Sequence, residues 1–270
     1  MKRNIDECNI SLSDCIPSEK ISKKLDINDI FLEARLLENG IDVIKKGKYV
    51  YANDRFICYD FILKSVDNEN FFYGNYDSSK GFLDGKFVSS NGKELEGIFH
   101  QLDGKNFLLK GSIKYTNGNT EIGDFHIVNG RERLKKGKHI KSNGTIEDGI
   151  FEIIEDKMYM NKGRITYASG TITEGNYAVY NNIFHLVDGK FQTPSCVIFE
   201  GKFECTNYKL TFLSGKITQN GVIYEGEFNK MILNGKGSIT YSNGTVIKGI
   251  FDNGKLRQPE GYVIHIHKLH

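Results

Sequence analysis

Eight glycines, Gly74, Gly97, Gly123, Gly149, Gly175, Gly201, Gly226 and Gly249, recur along the chain at intervals of 23, 26, 26, 26, 26, 25 and 23 residues. A period in this range marks a repeat array, in which each unit is one supersecondary element that buries its apolar side only by stacking on its neighbours. With each glycine numbered zero, the residue two places on is always aromatic: Tyr76, Phe99, Phe125, Phe151, Tyr177, Phe203, Phe228, Phe251. In a chain that is 12% aromatic, eight in eight requires a structural column. The rings are expected to stack as a ladder beside bare glycines that leave room for a neighbouring ring. Each buried large side chain then contributes about 1.5–3 kcal/mol before chain entropy is subtracted.

Six places before the glycine stands Asn68, Asn91, Asn117, Asn143, Ser169, Ser195, Asn220 or Asn243, and in six units glycine follows. Asn-Gly flanked by apolar and β-branched residues predicts a tight type I′ hairpin, whose two central residues both need positive φ. A second reversal is expected at Asp103-Gly104, Asn129-Gly130, Glu155-Asp156 and Asn181-Asn182. Two strands per unit then give a long antiparallel meander. At about 4.8 Å per strand it would extend roughly 75 Å as a narrow rod. A further glycine twelve places before zero (Gly85, Gly111, Gly137, Gly163, Gly189, Gly237) predicts a bend or close backbone approach within the incoming strand. Gly215 comes one place late, which records the one-residue deletion in the 25-residue interval. Composition agrees: 29 glycines, 14 tyrosines and 18 phenylalanines against 3 prolines suit turn-rich β-structure.

The phrases "YEGEF" (224–228) and "GKGSITYSNGTVIKGIFDNGK" (235–255) resemble the MORN repeat family, whose units read approximately G-x-G-x-Y-x-x-x-x-G-x-x-Y-x-G-x-W/F. The resemblance covers about residues 62–256. It departs from the pattern in lacking tryptophan, in that Tyr224 and Phe72 are rare survivors of the Tyr column, and in its four 26-residue intervals. It implies a β-hairpin repeat fold and a role in protein interaction or assembly, with association to phospholipid membranes in some members.

The expected architecture is all-β: an elongated antiparallel β-meander of about eight stacked two-stranded hairpin repeats, with a short N-terminal capping helix. Residues 1–44 form an N-terminal segment, 45–256 the array and 257–270 a C-terminal capping strand. The helix is read from "LDINDIFLEARLLENG" (25–40), with Asp26 or Asn28 as N-cap, an apolar stripe of Ile30, Phe31, Ala34, Leu36 and Leu37, and Gly40 as stop. "GYVIHIHKLH" (261–270) reads as an edge strand whose histidines and lysine discourage end-to-end pairing.

Chemistry is sparse. The chain holds no G-x-x-x-x-G-K-[ST], H-E-x-x-H or G-x-S-x-G, so no enzyme activity, cofactor or small-molecule substrate is expected. The five cysteines, Cys8, Cys15, Cys58, Cys196 and Cys205, match no paired metal-binding spacing and are read as free thiols. His265 and His267 lack a nearby carboxylate or cysteine, so no metal site is assigned. The N-terminus has no apolar core for a secretory signal, which leads to the expectation of a cytoplasmic protein, peripheral at a membrane when bound there.

Acids precede the glycine at Glu96, Asp148, Glu174, Glu200 and Glu225. Bases stand eleven places before it (Lys86, Lys138, Arg164, Lys190) and thirteen before it (Lys110, Lys136, Lys162, Lys236). These are expected to form charged stripes on a solvated face. One stretch breaks the overall balance of +2: "RERLKKGKHIK" (131–141) holds Arg131, Arg133, Lys135, Lys136, Lys138 and Lys141 against Glu132 alone. It is the candidate site for an anionic partner. Two functions compete: a non-enzymatic scaffold for protein partners or self-association, and a peripheral binder of anionic phospholipid, each near-surface cation contributing about 1 kcal/mol. Nucleic acid is disfavoured because the aromatics are committed to the core and not interleaved with the bases.

Overall fold

The computed structural model describes residues 30–38, 41–52, 55–65, 70–77, 80–103, 105–180, 183–206 and 209–260. These residues are all-β, and no helix occurs among them. The chain divides into two units, 1–142 and 143–270. The first contains β1 (Ile30–Glu38), β2 (Ile41–Ala52), β3 (Arg55–Ser65), β4 (Phe71–Asp77), β5 (Gly81–Val88), β6 (Glu94–Leu102), β7 (Lys105–Lys114), β8 (Thr120–Val128) and β9 (Arg131–Ile140). Each pairs antiparallel with the next, so the unit is a meander of hairpins. The second contains β10 (Ile146–Ile154), β11 (Lys157–Thr166), β12 (Ile172–Tyr180), β13 (Ile183–Gln192), β14 (Ile198–Thr206), β15 (Lys209–Gln219), β16 (Val222–Asn229), β17 (Ile232–Thr240), β18 (Val246–Asp252) and β19 (Lys255–Pro259). It is built the same way.

Residues 30–38 of the expected capping helix are strand β1, paired along its whole length with β2. The sheet therefore begins upstream of the expected boundary at residue 45. The sequence "IFLEARLLE" also alternates Ile30, Leu32, Ala34 and Leu36, a period of two, and nine cross-strand partners on β2 favour that reading. Residues 25–29, 39 and 40 lie outside the described residues, as do 261–270 with their expected edge strand.

The glycines make one row in each unit. In the first, Gly74, Gly85, Gly97, Gly111, Gly123 and Gly137 face one another in succession across β4 to β9. In the second, Gly149, Gly163, Gly175, Gly189, Gly201, Gly215, Gly226, Gly237 and Gly249 do the same across β10 to β18. A Cβ on Gly123 would stand 2.0 Å from the Lys136 carbonyl oxygen and 2.9 Å from the Gly137 Cα, and φ there is +150°. The bare positions accommodate facing backbone, not a neighbouring ring as the sequence had led us to expect.

Just past the glycine each hairpin from β4–β5 onward slips register, by two residues in β16–β17 and by one in the others. On β8–β9, Asp124 faces Lys136 but Phe125 faces Leu134, which leaves Lys135 as the extra bulge residue. Beyond this point β8 pairs with β9 and no longer with β7: β8 and β9 share nine residue pairs, whereas β7 and β8 share five. Bulges bend the strand that carries them, so the hairpin tip is turned relative to the paired base. The bent tips carry the core. Seven of the eight aromatic-column residues are buried, Tyr76 being half-buried. Each faces a second column on the returning strand: Phe99 faces Leu108, Phe125 Leu134, Phe151 Met160, Tyr177 Leu186 and Phe203 Phe212. All five of those partners are buried. The expected ring-on-ring ladder is therefore interleaved, as where the Phe212 ring centre lies 5.1 Å from Phe203 and 5.0 Å from Phe228.

The Asn-Gly turns also differ from expectation. At 89–93, 115–119 and 241–245 the first residue's N–H donates to the carbonyl four places on, and its own carbonyl accepts from the glycine N–H. Only the glycine has positive φ there, so the loop has three residues and ends in a glycine bulge. The asparagine keeps negative φ because its Oδ1 accepts an N–H two residues on, at 2.9 Å from Asn243 to Thr245. Asn220-Gly221, in the unit shortened by one residue, is the two-residue turn with both φ positive. Cys196 occupies the glycine position of its loop at φ +62°.

Two outcomes follow for urea denaturation. Gly123→Ala, which drives a Cβ into backbone, is expected to lose at least about 3 kcal/mol, far more than Gly130→Ala, where no atom lies within 4 Å of the added Cβ. Cys196→Gly should gain about 1 kcal/mol by relieving a left-handed non-glycine residue.

Candidate interaction surface

Residues next to the glycine row point away from the core, because side chains alternate across a strand. In the second unit the row on one side of the glycines reads Asp148, Arg164, Glu174, Lys190, Glu200, Lys216, Glu225, each facing the next across the sheet. The acids before the glycine and the bases eleven places before it, separate columns in the sequence, thus share one row of alternating sign. Its ion pairs are exposed and long, 4.0 Å for Arg164–Glu174 and 3.8 Å for Lys216–Glu200. Pairs of this kind contribute roughly 0–1 kcal/mol each, while keeping like charges apart.

The corresponding row of the first unit reads Tyr73, Lys86, Glu96, Ser112, Ile122, Lys138, and the row on the other side of the glycines reads Asn75, Asp84, Ile98, Lys110, Asp124, Lys136. Here Ile122 takes the place filled by acids elsewhere. Tyr73, Ile98 and Ile122 are exposed among lysines. Lys86 donates to the Glu94 carboxylate at 3.0 Å and holds its carboxyl below the usual range.

The six basic residues named from the sequence are not equivalent. Arg131, Lys135, Lys136 and Lys138 are exposed, with Lys135 in the bulge and Lys136 opposite Asp124. Arg133 and Lys141 are half-buried. Arg133 faces His126, whose Nε2 is buried without a hydrogen-bond partner among the described residues.

Arg133 belongs instead to a polar cluster that the sequence reading missed. Glu121 lies two places before its glycine, in a column holding Phe72, Leu95 and Phe199 in other repeats, and is only 7% exposed. It accepts a hydrogen bond from the Tyr115 hydroxyl at 3.0 Å and faces Ile113 and His139 on the adjoining strands. Lys93 Nζ sits 5.5 Å from the Tyr115 ring centre and 3.5 Å from the Glu132 carboxylate. Burial raises the Glu121 carboxyl above its ordinary value and outweighs the Tyr115 hydrogen bond and the positive charges of His139, Lys93 and Arg133. Burial and the Glu121 charge likewise raise the Tyr115 hydroxyl. The signal available in the sequence was a charge interrupting an apolar column.

No family model matches the chain, and no curated protein matches it.

A buried carboxyl with a raised pKa binds its proton more tightly in the folded than in the unfolded chain. It therefore costs stability as pH rises from 4.5, the ordinary value, through the folded value. The double variant Tyr115→Phe/Glu121→Leu, which replaces both hydrogen-bond partners with apolar groups, is expected to exceed the wild type by on the order of 1 kcal/mol above neutrality. That advantage should shrink as pH falls toward 4.5 in urea titrations. A difference independent of pH would contradict the assignment.

Proposed function

We propose that this chain is a non-enzymatic repeat scaffold of MORN-like hairpins whose outward sheet rows dock a protein partner. The observation that carries the reading is the outward face of the first unit, where Tyr73, Ile98 and Ile122, at 45%, 52% and 43% exposure, stand among Lys86, Lys110 and Lys136. Exposed branched and aromatic side chains between cations give apolar contact and charge steering together, the combination that an acidic partner with an apolar centre would use. The resemblance of residues 62–256 to MORN repeats supports the same reading, since such arrays act mainly in interaction and assembly. The free thiols of Cys196 and Cys205 fit a reducing compartment, and the cytoplasm is the setting proposed.

The exposure of Arg131, Lys135, Lys136 and Lys138 favours a second reading, in which the same unit rests on anionic lipid. Two variants separate the readings: Ile98→Glu/Ile122→Glu and the fourfold charge reversal of Arg131, Lys135, Lys136 and Lys138 to glutamate. Under the scaffold reading, cellular proteins captured by the immobilised wild-type chain fall about tenfold on the isoleucine variant, as expected for loss of an interface centre, and equal capture would contradict it. Under the lipid reading, the wild type floats with anionic but not neutral vesicles, and flotation is lost in the charge variant and at high salt. Arg133 is left intact because changing it would disturb the Glu121 cluster and confuse folding with binding.

A further inference from the structure

The second unit contains a cavity of about 430 Å³ on the core side of β12 to β15. Its origin is visible in the row two places to one side of the glycines, which reads Glu147, Ile165, Thr173, Phe191, Phe199, Ile217, Tyr224, Ile239 and Ile247. Thr173 is the smallest side chain in that row and stands between Ile165 and Phe191. Where Phe199 fills the corresponding space in the next hairpin, Thr173 leaves it open.

The walls divide by chemistry. Phe184, Leu186, Phe191 and Leu210 line one part, with the Phe184 ring stacked on Tyr177 at 5.0 Å and 13°. Tyr167, Ser169, Thr171, Thr173 and Tyr177 bring hydroxyls to the other. Tyr177 and Thr173, 7% and 4% exposed, share one hydrogen bond of 2.7 Å. Two hydroxyls carry two protons, so one proton of this pair has no acceptor among the described residues. Ile183, His185 and Cys205 complete the lining, with the His185 Nδ1 3.2 Å from the Ile183 carbonyl oxygen, and no lysine, arginine, aspartate or glutamate lines the cavity among the described residues. A ligand with a full charge would give up its hydration for at most one histidine.

We infer that this cavity is a binding site for a neutral, ring-containing small molecule whose carbonyl or ether oxygen accepts the free proton of the Thr173–Tyr177 pair. The volume lies within the range of small-molecule sites, which combine apolar walls with a few convergent polar groups. The site is distinct from the outward surface proposed for a protein partner, since it opens on the core side of the sheet and involves only the second unit.

The test uses the full-length chain and Prodan, a neutral naphthalene ketone whose emission shifts to the blue and brightens in an apolar site. The wild type is expected to give a saturable blue shift with one site per chain. Thr173→Val combined with Tyr177→Phe, which keeps the shape and removes both hydroxyls, should weaken binding about three- to tenfold. Thr173→Phe, which restores the large side chain found at Phe199, should abolish saturable binding while the circular dichroism spectrum stays that of a β-protein. Absence of a saturable shift in the wild type overturns the inference, as does unchanged binding by folded Thr173→Phe. Should Thr173→Phe fail to fold, the double variant decides: equal affinity overturns the hydrogen-bond assignment, and weakened affinity upholds it.

Discussion

The structure depends on one steric condition: at one level of every hairpin from β4 to β9, and again from β10 to β18, two strands approach so closely that neither residue can carry a side chain. In the second unit Gly175 exemplifies it, since a Cβ there would meet the Asp188 carbonyl oxygen at 2.1 Å and the Gly189 Cα at 2.8 Å. Positive φ near 150° at both partners reinforces the exclusion, because L-residues rarely adopt it. From this row the rest follows. The register slips immediately beyond it, the hairpin tip bends, and the residues two places away are brought into the core in alternation with Leu108, Leu134, Met160, Leu186 or Phe212 from the returning strand.

Because the row fixes the register, it also fixes what the outer face presents. Residues one place on either side of a glycine meet their counterparts on every neighbouring strand, so a preference for acid on one strand and base on the next becomes an alternating row. The second unit keeps this alternation from Asp148 to Glu225. The first unit replaces it with Ile98, Ile122 and lysines, and that departure from the solvated pattern is what singles it out as a docking face. The same logic applies inward. Glu121 and Thr173 are both substitutions of a polar residue into an apolar row, one closed by Tyr115 and the other leaving a cavity.

Much of this was legible in the residues. The glycine period and the aromatic column identified hairpin repeats because both depend on single residue types that steric or packing demands hold constant. The glycine twelve places before zero was legible as a close approach, but its partner was not, since pairing is a property of two strands. The Leu108–Phe212 column escaped notice because leucine, methionine and phenylalanine fill the same space, leaving no single letter to follow. Turn type was misjudged at Asn91, Asn117 and Asn243, where one extra loop residue lets the asparagine side chain cap the turn at negative φ. Residues 30–38 satisfied a helical stripe and a strand alternation together, and only pairing with β2 distinguishes them. The basic stretch was visible as charge, yet sequence could not separate Arg133 and Lys141, which are half-buried, from the four exposed cations.

The most direct measurement of the central condition is a carbon-edited NOESY spectrum of the chain with protonated glycine in an otherwise deuterated background. The account predicts strong cross-peaks between α-protons of the glycines that face each other within a hairpin, so that Gly175 is linked to Gly189, Gly149 to Gly163 and Gly201 to Gly215. Glycine α-protons that show no cross-peaks to one another would mean that the strands pair in another register, and the account of the core and of both outer faces would fail with it.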